Sequence, residues 1–167
     1  MTTAVHRFDG SVYGFRARYG FLSNFSVLEN PIVKTDPEGN AIKYPTVEHF
    51  YMAMKTNDWN ERKIIAAQIT ASAAKAYTEA NVAVRDDWDE IKISVMWHGL
   101  RLKFSDLNPT LKQKLLDTGD RLLIEANRWN DRYFGVDWET GEGENVLGRL
   151  LMKRRNQLRE IENGKDS

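Results

Sequence analysis

The sequence predicts an α+β fold, mainly helical, with a small antiparallel or mixed sheet. Two apolar runs, "PIVKT" and "AIKYP", flank "DPEGN", where Pro37 and Gly39 supply the turn chemistry of a β-hairpin. After Thr46 the apolar residues change to a helical period and keep it through most of the remaining chain. A length of 167 residues, 41% hydrophobic and 29% charged, suits one ordinary domain able to bury a sizeable core. No repeat, low-complexity tract or Pro/Ser-rich linker interrupts it, so residues 1–167 read as a single domain.

The elements follow in order. "AVHRF" and "SVYGF" alternate loosely and lead into a loop, "YGFLSNF". The hairpin comes next. Thr46 is a plausible N-cap for a helix over about 47–57, with Glu48 in its first turn. "DWNERKIIAAQI" reads as a second helix capped by Asp58 or Asn60, and "SAAKAYTEA" as a short third. "DDWDEIKISVMWHGLRLKF" is the strongest helix, capped by Asp86 or Asp87, with Trp88, Ile91, Val95 and Leu102 near helical period. Asn108 before Pro109 opens another, which closes at Gly119. "RLLIEAN" reads as a strand. A polar loop, "RWNDRYFGVDWETGEGEN", precedes a final amphipathic helix, and the tail at 162–167 is expected to fray.

Composition removes several function classes. Lys+Arg and Asp+Glu are both 24, whereas a non-specific nucleic-acid binder carries a basic surplus. With no cysteine there is no disulfide frame, zinc ribbon or thiolate nucleophile. The opening "MTTAVHRFDG" lacks a signal-peptide pattern, and no apolar stretch nears the roughly 20 residues of a membrane span. The expectation is a cytoplasmic protein with no membrane partner.

Three places carry candidate chemistry. Residues 48, 51, 52 and 55 share one helix face, which sets Glu48 and Lys55 about 10 Å apart at ~1.5 Å per residue. That separation suits two groups gripping one sugar-phosphate. From spacing alone, the plainer reading is that both charges serve the helix dipole. "EHF" is not the H-E-x-x-H motif, and His6, His49 and His98 show no ligand spacing. No metal site is expected, and His49 reads as a packing or hydrogen-bonding residue.

The loop "RWNDRYFGVDWETGEGEN" offers Asp131, Asp137 and Glu139 as carboxylates. Trp129, Phe134 and Trp138 offer flat faces for a ring, although a solvated surface loop is the bland reading. No phosphate-loop motif is present, but the Gly-rich turn opens a helix whose N-terminal amides could receive a phosphate. Trp88 is core or pocket wall. "KRRNQLR" reads as the solvated face of the last helix. Residue spacing alone stops at a globular domain with a possible carboxylate site.

Read together, "FLSNF", "YPTVEHFYMAMK", "RDDWDEIKISVM", "LRLKF", "LLDTGDRLLIEAN", "NDRYFG" and "GENVLGRLLMKRR" resemble the NADAR superfamily, and within it the compact YbiA-like proteins. The likeness runs from about Tyr19 to Arg155. It implies an N-glycosidase that hydrolyses a ribosyl C1–N bond without a cofactor. Two substrate classes come with the resemblance. One is phosphorylated ribosyl-amine intermediates of riboflavin biosynthesis; the other is ADP-ribose on guanine, with ADP-ribosylated nucleic acid as a partner. The alternatives are a module that binds NAD or ADP-ribose without cleaving it, and a structural or interaction protein whose pocket has decayed.

By the same resemblance Glu48 takes the family's acidic position, and Trp88 and Asp131 fall on further functional positions. Lys55 closes the "EH....K" block, while Asn24, Gly135, Asn145 and Gly148 match residues that shape the pocket. Phe134 stands where the family usually has tryptophan, and "VDWET" lengthens the next loop. Both departures bear on substrate choice.

Such residues suit that chemistry. C–N cleavage builds positive charge on C1 and the ring oxygen, which a carboxylate stabilises while it deprotonates water. An aromatic wall stacks on the leaving heterocycle. Lys55, Arg149 or the last helix's N-terminus could supply the phosphate contact, and a desolvated Lys55 is also a nucleophile able to attack C1.

Overall fold

The computed structural model describes residues 10–165; "AVHRF" lies outside them. The fold is α+β, with helices dominating three two-stranded sheets. Its contacts group the chain into two compact units. One holds Asn24–Lys112, and the other holds the residues up to Ser23 with those from Gln113 onward.

In the Asn24–Lys112 unit, β2 (Ile32–Thr35) pairs antiparallel with β3 (Ala41–Tyr44), in a register that sets Ile32 opposite Tyr44. The connecting turn is closed by Asp36, whose Oδ1 accepts from Glu38 N and Asn40 N. Along β3 the side chains alternate as expected of a half-buried strand, Ile42 and Tyr44 inward and Lys43 outward. Helix α1 (Val47–Ala53) is buried at all seven positions and packs on α2 (Trp59–Ala66), α3 (Ala71–Asn81) and α4 (Trp88–Lys103).

Local cap rules place three of these starts. Thr46 Oγ1 accepts from His49 N, Asp58 from Asn60 N and Glu61 N, and Thr70 Oγ1 from Ala73 N. At α4 Asp87 makes no side-chain cap bond. Its carboxylate is held by Arg85 at 2.6 and 2.9 Å instead.

Several sequence expectations are corrected here. The first helix stops at Ala53 rather than near residue 57, with Met54 as its C-cap. Asn108 does precede α5 (Pro109–Asp117), yet its Oδ1 accepts from Asn30 N. The open amide of Leu111 is received by Glu29 at 2.7 Å, 82 positions away.

In the other unit, β1 (Val12–Tyr13) runs parallel to β4 (Leu123–Ile124), and β5 (Ala126–Asn127) parallel to β6 (Val136–Asp137). "RLLIEAN" is therefore two short strands rather than one, interrupted at Glu125. There the backbone N–H turns to Asn145 Oδ1. "YGFLSNF" is entered by a 3-10 helix over Ala17–Leu22. The long "VDWET" segment forms β6 and sends Trp138 into a cluster with Ile124, Ala126 and Val136. Helix α6 (Val146–Lys165) packs on β4. It continues through most of the tail expected to fray.

Candidate active site

The Asn24–Lys112 unit brings together Glu48, Lys55, Trp88 and Asn24. Glu48 is 6% exposed although it is a carboxylate, and its backbone N–H donates to Asn24 O at 3.0 Å. Lys55 follows the end of α1, and its Nζ lies 5.6 Å from the Tyr51 ring and 5.8 Å from the Trp88 ring. Those two rings meet edge to face, their centroids 4.9 Å apart, an arrangement that fixes both. The Lys55 backbone carbonyl accepts from Arg85 N, which ties the start of α4, and so Trp88, to the end of α1.

Burial lowers the Lys55 pKa below the ordinary lysine value. The negative charges of Glu48 and Glu79 oppose that shift, and Lys75 adds to it. A buried carboxylate and a desolvated amine thus act on each other, with the amine beside the two rings. Asn24 is nine-tenths buried. Its Nδ2 donates only to the soft acceptor Met96 Sδ at 3.4 Å, and its Oδ1 has no protein partner.

His49 is placed as the sequence suggests. Gln68 O lies 2.9 Å from Nε2 and can only accept, so Nε2 carries the proton. Nδ1 then accepts from Thr46 Oγ1 at 2.7 Å. Burial lowers its pKa, in keeping with a neutral, fully bonded imidazole.

The other unit positions Asp131, Phe134, Gly135, Asn145 and Arg149. Asp131 Oδ1 accepts from Tyr133 N at 3.1 Å and Phe134 N at 3.0 Å, an Asx-type turn. Asn127 braces it from both sides, accepting from Asp131 N and donating to Asp131 O. Asp137 does the same for the next turn, accepting from Glu139 N and Thr140 N. Glu139 is exposed and paired with Arg128. Trp129 is exposed, whereas Phe134 is half-buried against Tyr133.

Gly135 is dictated by space. A Cβ there would stand 2.1 Å from Glu125 O and 2.5 Å from Asn127 Nδ2. Gly148 is under the same constraint, 2.0 Å from Leu123 O. Asn145 holds β4 to the start of α6, accepting from Glu125 N and donating to Leu123 O. Arg149 is exposed and lies 3.6 Å from Glu144.

The helix N-terminus expected to offer amides to a phosphate does not do so. The N–H groups of Asn145, Val146 and Leu147 donate to the carbonyls of Gly135, Tyr133 and Phe134, which fills three of the four positions a helix start leaves open.

Sequence reasoning missed Glu125, 9% exposed and with Oε2 unpartnered, and Lys103, 0% exposed with Nζ 3.2 Å from Ser26 Oγ. The signal was present in both cases, since each ion interrupts an apolar run, "LLIEA" and "LRLKF".

Comparison with known proteins shows the family and the fold. The NADAR domain model matches residues 13–159. The chain is 36% identical over 154 residues to the riboflavin biosynthesis protein PYRR of Zea mays, covering 84% of this chain and 23% of that one. It is 35% identical to riboflavin biosynthesis protein VVA0006 of Vibrio vulnificus, covering 36% of that protein. The chain therefore spans about a quarter and about a third of these two relatives. N-glycosidase YbiA of Shigella flexneri is 38% identical over 141 residues, covering 84% of this chain and 82% of that protein. The NMR structure of Escherichia coli YbiA superposes with a TM-score of 0.73 at 30% identity, covering 94% of this chain and 90% of that one. With the family pattern matched along nearly its whole length and the fold shared, the chain belongs to the NADAR domain family.

Proposed function

We propose that this protein is an N-glycosidase that hydrolyses the bond between ribose C1 and a nitrogen, acting on phosphorylated intermediates of riboflavin biosynthesis. The observation that carries the reading is the buried Glu48 carboxylate, charge-coupled to Lys55 beside the Tyr51–Trp88 pair. The names of relatives, N-glycosidase YbiA and riboflavin biosynthesis proteins, support the bond type and the substrate class.

In this reading Glu48 faces the positive charge that grows on C1 and the ring oxygen as the C–N bond lengthens, and it takes the proton from the attacking water. Desolvation makes that carboxylate worth more to the cation than it is in bulk water. Trp88, held edge-on by Tyr51, stacks against the departing heterocycle. Lys55 contacts the substrate phosphate or, as free amine, attacks C1 and displaces the amine or base, which leaves with a proton. The C1–ring oxygen bond then opens to an iminium, and water hydrolyses it to the free sugar and the lysine amine. Asn24 Oδ1 accepts from a substrate N–H or O–H. For the residues of the other unit, Asp131 as a carboxylate, Arg149 as a phosphate contact, Phe134 as a ring contact, and Gly135 and Asn145 as shaping residues, the assignment rests on the family resemblance.

The test is direct. The protein is incubated with a phosphorylated ribosyl-amine and, separately, with ADP-ribosyl-guanine, and the freed amine or base is followed by mass spectrometry. Release from the first and not the second is expected. Glu48→Gln should lose turnover by on the order of 10²–10⁴-fold while remaining folded and still binding ribose 5-phosphate. Near-wild-type turnover in that variant sinks the assignment, and saturable binding with no product makes the protein a binding module.

A further inference from the structure

Glu125 lies at the break between β4 and β5, and nothing in the mechanism above uses it. Its side chain is nine-tenths buried, and Oε2 has no protein hydrogen-bond partner. The backbone on both sides is fixed. Glu125 N donates to Asn145 Oδ1, and Glu125 O accepts from Val136 N at 2.8 Å and Asn127 Nδ2 at 3.3 Å. Gly135 closes the space against Cγ, where even a methyl group would stand only 2.9 Å away. The carboxyl therefore sits on a backbone held at both its N–H and its carbonyl. Asn127 ties the Glu125 backbone to the Asp131 backbone, since the same amide that reaches Glu125 O also donates to Asp131 O.

The geometry points to Glu125 as a positioning residue for Asp131: it keeps a proton in this buried corner, so that the two carboxyls carry a single negative charge and the Asp131–Phe134 turn stays closed. The inference rests on the role given to Asp131 above. An orphaned, buried carboxylate is costly, and protonation removes most of that cost. Burial and then the Asp131 charge push Glu125 up to about 7. On the packed elements, Arg132 is turned to Asp137 and Glu142, and Arg149 to Glu144. Asp137 is satisfied by its own turn, and Tyr133 meets Phe134 edge to face. Above neutral pH the proton leaves Glu125 Oε2 for solvent, and two like charges then share the corner.

Infrared difference spectra between pH 5.5 and 9 test the pair without reference to activity. A protonated-carboxyl stretch is expected to disappear with a midpoint near 7, to be missing in Glu125→Gln, and to move to lower pH in Asp131→Asn. A spectrum with no such band, or a band that Glu125→Gln retains, overturns the inference. Should Glu125→Gln fail to fold, the shift in Asp131→Asn alone decides. In turnover, wild-type kcat should fall as pH rises through about 7, while Glu125→Gln stays within two-fold of wild type at pH 6 and shows no fall. The same fall in both proteins overturns the positioning role. Wild-type turnover in Asp131→Asn, by contrast, removes Asp131 from the reaction and leaves the infrared titration to judge the pair.

Discussion

Replacing Lys103 by methionine is expected to stabilise the protein at pH 6 and to bring little gain at pH 9. Lys103 is completely buried at the C-terminal end of α4, and burial lowers its pKa from the ordinary 10.5 to about 7. Below pH 7 the amine is charged in both the folded and unfolded states, so folding carries the full cost of a buried cation. Between pH 7 and 10.5 the folded amine is neutral while the unfolded one still binds a proton, so stability rises with pH. At about 1.4 kcal/mol per unit, the rise from pH 7 to 9 is about 3 kcal/mol. Methionine fills the same space without a charge and removes that rise, at the loss of one hydrogen bond to Ser26 worth about 1 kcal/mol.

Glu125 gives the opposite limb. Its folded pKa stands near 7 against an ordinary 4.5. Between those values the folded state binds the extra proton, and stability falls by about 3 kcal/mol as pH rises. Urea denaturation at pH 5, 6, 7, 8 and 9, with each variant compared to wild type at unchanged m, isolates each group. The Lys103→Met advantage should shrink above pH 7, and that of Glu125→Gln should grow between 5 and 7. A difference that is flat across the range, or a Lys103→Met advantage growing with pH, refutes the burial argument.

Three further outcomes are expected. Gly135→Ala should lose more than about 4 kcal/mol, read by thermal melting, because its Cβ meets backbone at 2.1 Å. Gly20→Ala, which meets nothing within 4 Å, should be near neutral in the same assay. His49→Ala should cost on the order of 1–3 kcal/mol by leaving Gln68 O unpaired, yet leave the pH profile of turnover in place. Trp88→Phe should keep most turnover, whereas Trp88→Ala should raise KM at least about ten-fold, the worth of ~1.4 kcal/mol of lost ring contact.

What could be read in advance followed from local rules. The hairpin is set by "DPEGN", and Thr46 and Asp58 cap their own helices through amides two or three residues on. What could not be read depended on partners distant in sequence. Glu29 takes the amide at Leu111 that Asn108 was expected to serve, and Asn145 breaks the 121–127 strand from 20 positions beyond Glu125. The site divides in the same way. Glu48, Lys55 and Trp88 were singled out by the resemblance, spacing alone favouring the plainer readings, and all three lie in one unit. Glu125 and Lys103 each interrupt an apolar run, a signal the sequence carries, but the depth of their burial is set by tertiary packing.

Glu48 and Lys55 lend themselves to one last separation. Burial lowers the Lys55 pKa while the Glu48 charge holds it up. Glu48→Gln removes the opposing charge, so the Lys55 pKa must drop further and the free-amine fraction at pH 8 must grow. Competitive labelling of Lys55 with an acylating reagent across pH should show a midpoint below that of wild type. If C1 is attacked by Lys55 in the slow step, and Glu48 matters only through that amine, the variant hydrolyses substrate faster. If the carboxylate acts on the sugar cation and water, the amine becomes more reactive while turnover collapses. The second result is expected, because charge developing on C1 is stabilised by an anion that glutamine cannot replace. An unchanged labelling midpoint would show that the two side chains do not share the pocket assigned to them.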